Sequence, residues 1–181
     1  MRNEVKYLSN VYHLLTPEEK EDSTFDQIFS ILKRNEARFK VMEHEHEGQS
    51  DKIALIRGNE PKQGAKAILT VASKSKQEQS YHLLVLSGNE GIDFGKLKKL
   101  LDCKNVTMSS TEDLESLTKC VRGAVPPFSF NPKINLLVDE SLISNNEEIV
   151  FNAGRLDRSI FLNVKDYMRI VKPFLVNIRK V

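Results

Sequence analysis

Between Gly64 and Ser73 runs a stretch of small and β-branched residues, Ala65-Lys66-Ala67-Ile68-Leu69-Thr70-Val71-Ala72, interrupted by one lysine. Such a run reads as a strand, and side chains along a strand alternate between faces. Lys66, Ile68 and Thr70 therefore point one way, and Ala67, Leu69 and Val71 the other. A polar turn from Lys74 to Ser80 leads into a second apolar run, Tyr81-His82-Leu83-Leu84-Val85-Leu86, so the lysine strand belongs to an antiparallel hairpin. An ammonium at the mouth of an apolar strand, entered through Gly64, is either a solvated strand-end lysine or a group held for a purpose.

A second stretch separates Lys66 from the other basic residues: Gly123-Ala124-Val125-Pro126-Pro127-Phe128. After Gly95 the chain has only two glycines, Gly123 and Gly154, so glycine is expected where backbone geometry demands it. Pro126 and Pro127 remove two backbone donors and stiffen the turn, leaving the amides near Gly123 to Val125 free to face a ligand. Taken alone, the stretch equally describes a stiff connection between a helix and a strand.

The remaining segments alternate in type. Thr16-Pro17-Glu18-Glu19 has the form of a capping box. Ser23 or Thr24 caps a helix with Phe25, Ile28, Phe29 and Leu32 on one face. A strand over 38–44 follows, then a short helix that Ser50 opens as cap and Gly58 stops. Asp93 caps a helix running to Leu101, with Phe94, Leu97, Leu100 and Leu101 expected inward. A strand over 106–108 precedes a helix starting at Ser110 and ending near Lys119, with Leu114 and Leu117 buried. Strands are expected over 134–138, 148–151 and 160–164, and a helix over 165–171 that Pro173 terminates. Strands and helices mixed in this order give an α+β protein.

At 181 residues, with 40% apolar and 29% charged residues, the chain is long enough for a substantial core in one domain. Residues 1–36 read as an N-terminal helical extension and residues 37–181 as the main domain. Net charge is only +2, yet basic residues cluster: Lys74 with Lys76; Lys96, Lys98 and Lys99; Arg169, Lys172, Arg179 and Lys180. Such clusters suit a phosphate backbone touched at a few points. Two cysteines, Cys103 and Cys120, form neither a disulfide framework nor a zinc pattern, which points to a reducing cytoplasm. No apolar run reaches membrane-spanning length.

Several chemistries lack their residues. Glu43-His44-Glu45-His46-Glu47 would put two imidazoles on one strand face, but no further ligands follow at a metal-binding spacing, so no metal is expected. Gly58 with Gly64-Ala65-Lys66 misses the phosphate-binding loop pattern by one residue and lacks the following helix. No G-x-S-x-G is present for a serine hydrolase, and neither cysteine has a histidine nearby in sequence.

As an ordered set these features resemble the YbaK-type aminoacyl-tRNA deacylases, a family that includes the editing domain inserted in bacterial prolyl-tRNA synthetases. The resemblance spans about residues 43–170. It rests on Ser50 opening a helix that ends at Arg57-Gly58, on Gly64-Ala65-Lys66 entering a strand, on Gly123-Ala124-Val125-Pro126-Pro127-Phe128, on the strand from Ile134 to Asp139, and on Ala153-Gly154-Arg155. The family's lysine falls on Lys66, its glycine-x-x-x-proline loop on Gly123 and Pro127, and its pocket serine or threonine on Ser50. Where relatives often carry a further glycine upstream of the loop, this chain has Lys119.

The resemblance implies a mixed, curved or barrel-like β-sheet flanked by helices. It also implies trans hydrolysis of the ester of a mischarged tRNA bearing a small amino acid, with tRNA-Pro one candidate, and no cofactor. Lys66 and Gly123 are then the expected catalytic positions, and Ser50, Ala124, Val125, Pro126, Pro127 and Gly154 the substrate-binding ones. The implied partners are the 3′-terminal adenosine and acceptor stem of an aminoacyl-tRNA, with a synthetase as a further one. The alternative is a non-catalytic tRNA-binding or synthetase-associated module of the same fold, in which Lys66 would be dispensable.

Overall fold

The computed structural model describes residues 9–181. Helix α1 (Thr24–Arg34) starts where Ser23 Oγ accepts from the Asp26 amide at 3.2 Å, and its period buries Phe25, Ile28, Ile31 and Leu32. Strand β1 (Phe39–Glu43) and helix α2 (Ser50–Arg57) follow. The lysine hairpin is β2 (Ala65–Ser73) against β3 (Gln79–Ser87), antiparallel, with Lys66 opposite Leu86. Next come α3 (Phe94–Leu100), β4 (Asn105–Met108), α4 (Thr111–Thr118), β5 (Ile134–Asp139) and α5 (Glu140–Ser144). The chain continues through β6 (Glu148–Arg155), β7 (Arg158–Asn163), α6 (Val164–Val171) and β8 (Phe174–Val176).

These strands form two sheets. One has the order β1-β7-β6; the other has the order β4-β2-β3-β5-β8, in which β5 runs parallel to β3. A parallel neighbour requires a long crossover, and residues 88–133 supply it with α3, β4, α4 and the Gly123 loop. A parallel bridge between Gly64 and Val150 links the entry of β2 to β6 and so joins the sheets at one corner. The mixed α+β architecture with helices flanking the sheets is the expected one. Among the described residues the sheets remain separate beyond that corner and close no barrel.

Strand β3 is central and covered on both faces. Leu83 and Val85 enter the main core with α1, β6, β7 and α6, whereas Leu84 and Leu86 enter a second core beneath α3 with Leu97, Ile92 and Ile178. Each such leucine contributes about 1.5–3 kcal/mol through burial. Residues 9–36 are not a detached arm: Val11, Leu15 and the apolar face of α1 belong to the same core as Phe151 and Tyr167. The Thr16–Glu19 capping box forms, with Thr16 Oγ1 accepting from the Glu19 amide and the Glu19 carboxylate from that of Thr16, but only a single 3-10 turn follows.

Three local expectations are corrected. Ser50 is the first helical residue of α2 and not its cap; the Glu47 carboxylate accepts the Gly48 and Gln49 amides at that end instead. In α3 only Leu97 is buried, while Phe94 and Leu100 are exposed, because so short a helix offers the sheet a single turn. Strand β1 ends at Glu43, so His44 and His46 share no strand face. Elsewhere, Lys119 ends α4 in the left-handed conformation (φ 57°), a helix end that favours glycine.

Candidate active site

At the corner where β2 meets β6, a small cavity of about 60 Å³ opens between α2 and the segment following α4. Ser50, Lys66, Gly123 and Val125 all line it, so the first strand of the hairpin and the glycine-proline stretch come together as expected. Arg57, Asn59 and Asn152 add further polar side chains to its wall.

Lys66 is half-buried at the cavity edge. Its Nζ donates to the Gly88 carbonyl at 3.2 Å and to the Glu90 carbonyl, both in the loop after β3. Gly88 packs beside Ser50, with 3.4 Å from the position of an added Cβ to the serine Cβ. An ammonium has three donors, so one remains for a ligand. Desolvation lowers the Lys66 pKa from the ordinary lysine value, and the charge of Glu90 opposes that fall.

The Gly123 segment approaches the α2 entry closely. Gly123 has φ +86°, and a Cβ placed on it would lie 2.8 Å from Gly48 Cα, so only glycine fits here. The Ala124 amide is committed to the Val121 carbonyl at 3.0 Å. Among the described residues, the amides of Gly123 and Val125 have no acceptor, and both residues line the cavity.

A buried polar network that the sequence reading missed supports this segment. Asn152 of β6 donates from Nδ2 to the carbonyls of Gly123 and Glu47, each at 2.9 Å, and so ties the two approaching loops together. Its Oδ1 accepts from Arg57 Nη2 at 2.7 Å and from Ser159 Oγ at 3.1 Å. Arg57 Nε donates to Ser159 Oγ at 2.8 Å, and His44 Nε2 lies 2.6 Å from the same hydroxyl. Arg57 thus meets neutral acceptors and, among the described residues, no carboxylate; burial pulls its pKa down to about 10. Its one favourable field is the negative end of α2, which ends at Arg57 and Gly58. The signal in the sequence was an amide inside an apolar strand, Ile149-Val150-Phe151-Asn152-Ala153.

The remaining expected residues are not gathered at the cavity. Ala124 is fully buried, and its carbonyl accepts the Gly154 amide at 2.9 Å. Gly154 has φ +79°, and its missing Cβ makes room for Thr24 at the start of α1, so its requirement is one of packing. Pro126 borders a separate cavity of about 270 Å³ beneath Tyr12 and Lys20, and the Pro127 carbonyl accepts from the buried Tyr167 hydroxyl at 2.7 Å. His46 lies 3.6 Å from Asp157, and among the described residues no group of three or more histidine, cysteine or acidic side chains is placed to hold a metal ion. Cys103 and Cys120 are both free thiols. Among the described residues no helix is long and apolar enough to cross a membrane.

Comparison with known proteins bears on this geometry. Over 166 residues the chain is 36% identical to the multifunctional Ser/Thr-tRNA deacylase ProXp-y of Escherichia coli K12, covering 92% of this chain and 99% of that protein. An 80-residue stretch is 25% identical to the proline–tRNA ligase of Limosilactobacillus reuteri, covering 44% of this chain and 14% of the ligase. The fold matches a crystal structure described as a candidate trans-editing enzyme for prolyl tRNA synthetase, with TM-score 0.72 at 20% identity over 92% of this chain and 99% of that one. Residues 44–170, which include the cavity and the elements that build it, match the aminoacyl-tRNA editing domain; the chain belongs to that family.

Proposed function

We propose that this protein is a trans-acting aminoacyl-tRNA deacylase that hydrolyses the ester between a small amino acid and the 3′-terminal adenosine of a mischarged tRNA. The observation that carries this reading is one cavity lined by Lys66, Gly123 and Val125, although the lysine lies far from the other two in the chain. An aminoacyl ester is already activated, so the reaction needs few protein groups. In this reading the amides of Gly123 and Val125, which have no acceptor among the described residues, receive the carbonyl oxygen as it gains charge, and donors fixed in advance of reaction are effective at this task. Lys66 uses its remaining donor on the terminal phosphate or ribose. No side chain in the cavity is an evident general base, and the substrate's own ribose hydroxyl assists the attacking water. The bond between the acyl carbon and the ribose oxygen then breaks, that oxygen takes up the proton given by the water and remains on the ribose as a hydroxyl, and the amino acid departs as a carboxylate.

The small cavity supports a small side chain, and the deacylase relative, named for serine and threonine, supports the same size class. Such a sieve has biological use because binding alone separates small side chains poorly during charging. Exposed Lys98 and Lys99 are suited to the acceptor-stem backbone, whereas Lys96 spends its ammonium on Asn177 Oδ1 and the Arg179 carbonyl. Single-turnover deacylation across a panel of mischarged tRNAs, with seryl, threonyl and alanyl esters included, tests the reading. Hydrolysis of at least one small ester is expected, with tRNA affinity falling steeply as salt rises. Binding of tRNA without hydrolysis of any ester would leave the non-catalytic module instead.

A further inference from the structure

The two carbonyls that receive Lys66 Nζ belong to a loop with little structure of its own, residues 88–92. That loop is held from outside by residues 177–180. The Glu90 carboxylate accepts from Arg179 Nη1 at 3.0 Å and from Ser141 Oγ at 3.1 Å. The Lys180 amide donates to the Gly91 carbonyl at 2.9 Å, and the Asp93 amide to the Ile178 carbonyl at 2.7 Å. On its other side the same segment is pinned to the fully buried Asp139, whose Oδ2 accepts the Ile178 and Arg179 amides at 2.8 and 3.1 Å. Asp139 Oδ1 takes the amide and hydroxyl of Ser141. This strap lies outside the residues matched by the editing-domain family, 44–170.

We infer that the 177–180 strap is a positioning element of the active site: Arg179, acting through Glu90, fixes where the Lys66 ammonium sits. The inference rests on the deacylase reading for its catalytic meaning, but the coupling itself is a property of the folded chain. The strap follows directly from β8, whose last pair with β5 is Val176 opposite Asp139. It ends in an ion pair on the residue whose carbonyl holds Lys66, and Ser141 braces the same carboxylate from α5. The Glu90 charge acts on the ammonium, Arg179 pairs with that carboxylate from the strap, and Arg57 of α2 lines the same cavity as Lys66. Removing the carboxylate of Glu90 therefore takes away the attraction that sustains the ammonium. Removing Arg179 leaves that carboxylate less neutralised and strengthens the attraction.

These opposite signs separate positioning from simple bracing. The experiment uses the full chain with 13C,15N-lysine labelling, the Lys66 resonance being assigned by its loss in Lys66→Arg. Its titration midpoint is compared in wild type, Glu90→Gln, Arg179→Met and the double variant, together with single-turnover deacylation and urea denaturation. Expected are a lower midpoint in Glu90→Gln and a higher one in Arg179→Met. Each variant should lose on the order of tenfold in rate, since small displacements of a positioned group are costly. The double variant should lose no more than Glu90→Gln alone, because Arg179 acts through that residue. Midpoints that stay at the wild-type value, or that move together, would overturn the inference whatever happens to stability. Rate losses that multiply in the double variant would overturn it too. If wild type hydrolyses no ester, the deacylase reading fails, and the lysine titration alone still decides whether the strap governs the ammonium.

Discussion

Asn152 Nδ2 donates to the Gly123 carbonyl at 2.9 Å, and through this bond a buried strand holds the loop on which the proposed carbonyl-binding amides lie. The same side chain accepts from Arg57, so one amide links the glycine loop, the Glu47 turn and the end of α2. Asn152→Leu should therefore injure both stability and catalysis. It removes the partner of Arg57 Nη2 and of the carbonyls of Gly123 and Glu47, and a buried group left unpaired costs about 1–3 kcal/mol. Urea denaturation should show a loss of about 3 kcal/mol or more, and deacylation measured under conditions where the variant is folded should still be reduced.

Gly123 and Gly58 make a matched comparison. Both have positive φ, but a Cβ on Gly123 would meet Gly48 backbone at 2.8 Å, whereas one on Gly58 meets nothing within 4 Å. Gly58→Ala should cost only about 1–2 kcal/mol of stability, the left-handed penalty for a residue with a Cβ, and leave the rate of the folded enzyme intact. Gly123→Ala must displace the loop and should lower the single-turnover rate on the order of tenfold or more. Equal rates in the two folded variants would separate the Gly123 geometry from the chemistry.

Where local chemistry decides, the sequence was readable. The alternation around Lys66, the Ser23 and Ser110 caps and the Gly58 stop all appear where residue type and spacing put them, because each depends on neighbours within four residues. The joint presence of Lys66 and Gly123 at one cavity was legible through the family resemblance, not through periodicity. What could not be read was contact between distant segments. Arg57 in the last turn of a helix looks like an ordinary favourable charge, and its burial depends on β6 and β7 packing over it. Phe94 and Leu100 satisfy a helical pattern yet stay exposed, since pattern does not reveal how much sheet a short helix covers. Glycine was expected at Gly154 for a ligand, but the side chain it avoids is Thr24.

His82 makes a prediction about pH that is independent of function. It is buried on β3 with Nε2 at 2.9 Å from Ser80 Oγ, and its Nδ1 has no partner among the described residues. Desolvation pulls its pKa from 6.5 down to about 4. Protonation therefore favours the unfolded chain. The contribution is fully present above pH 6.5 and is lost as pH falls from there toward 4. At about 1.4 kcal/mol per pH unit, the loss across this window is about 3 kcal/mol. Denaturant titrations at pH 7 and pH 4.5 should show wild type weakening by more than His82→Leu, which has no proton to take up; an equal fall in both would place the acid sensitivity elsewhere.

Single-turnover hydrolysis by wild type and Lys66→Ala tests the assignment of this lysine to the chemistry most directly. Wild type should release the amino acid from a small mischarged aminoacyl-tRNA, and Lys66→Ala should be slower by a factor on the order of 10²–10³, the usual cost of removing one donor from a preorganised charge-stabilising site. Lys66→Arg should also be poor, because a planar guanidinium does not fit the two carbonyls that hold a compact ammonium. Circular dichroism should be unchanged in both, since a half-buried strand-end lysine adds little packing. A Lys66→Ala protein that hydrolyses the ester as fast as wild type would contradict the assignment of this lysine to the chemistry.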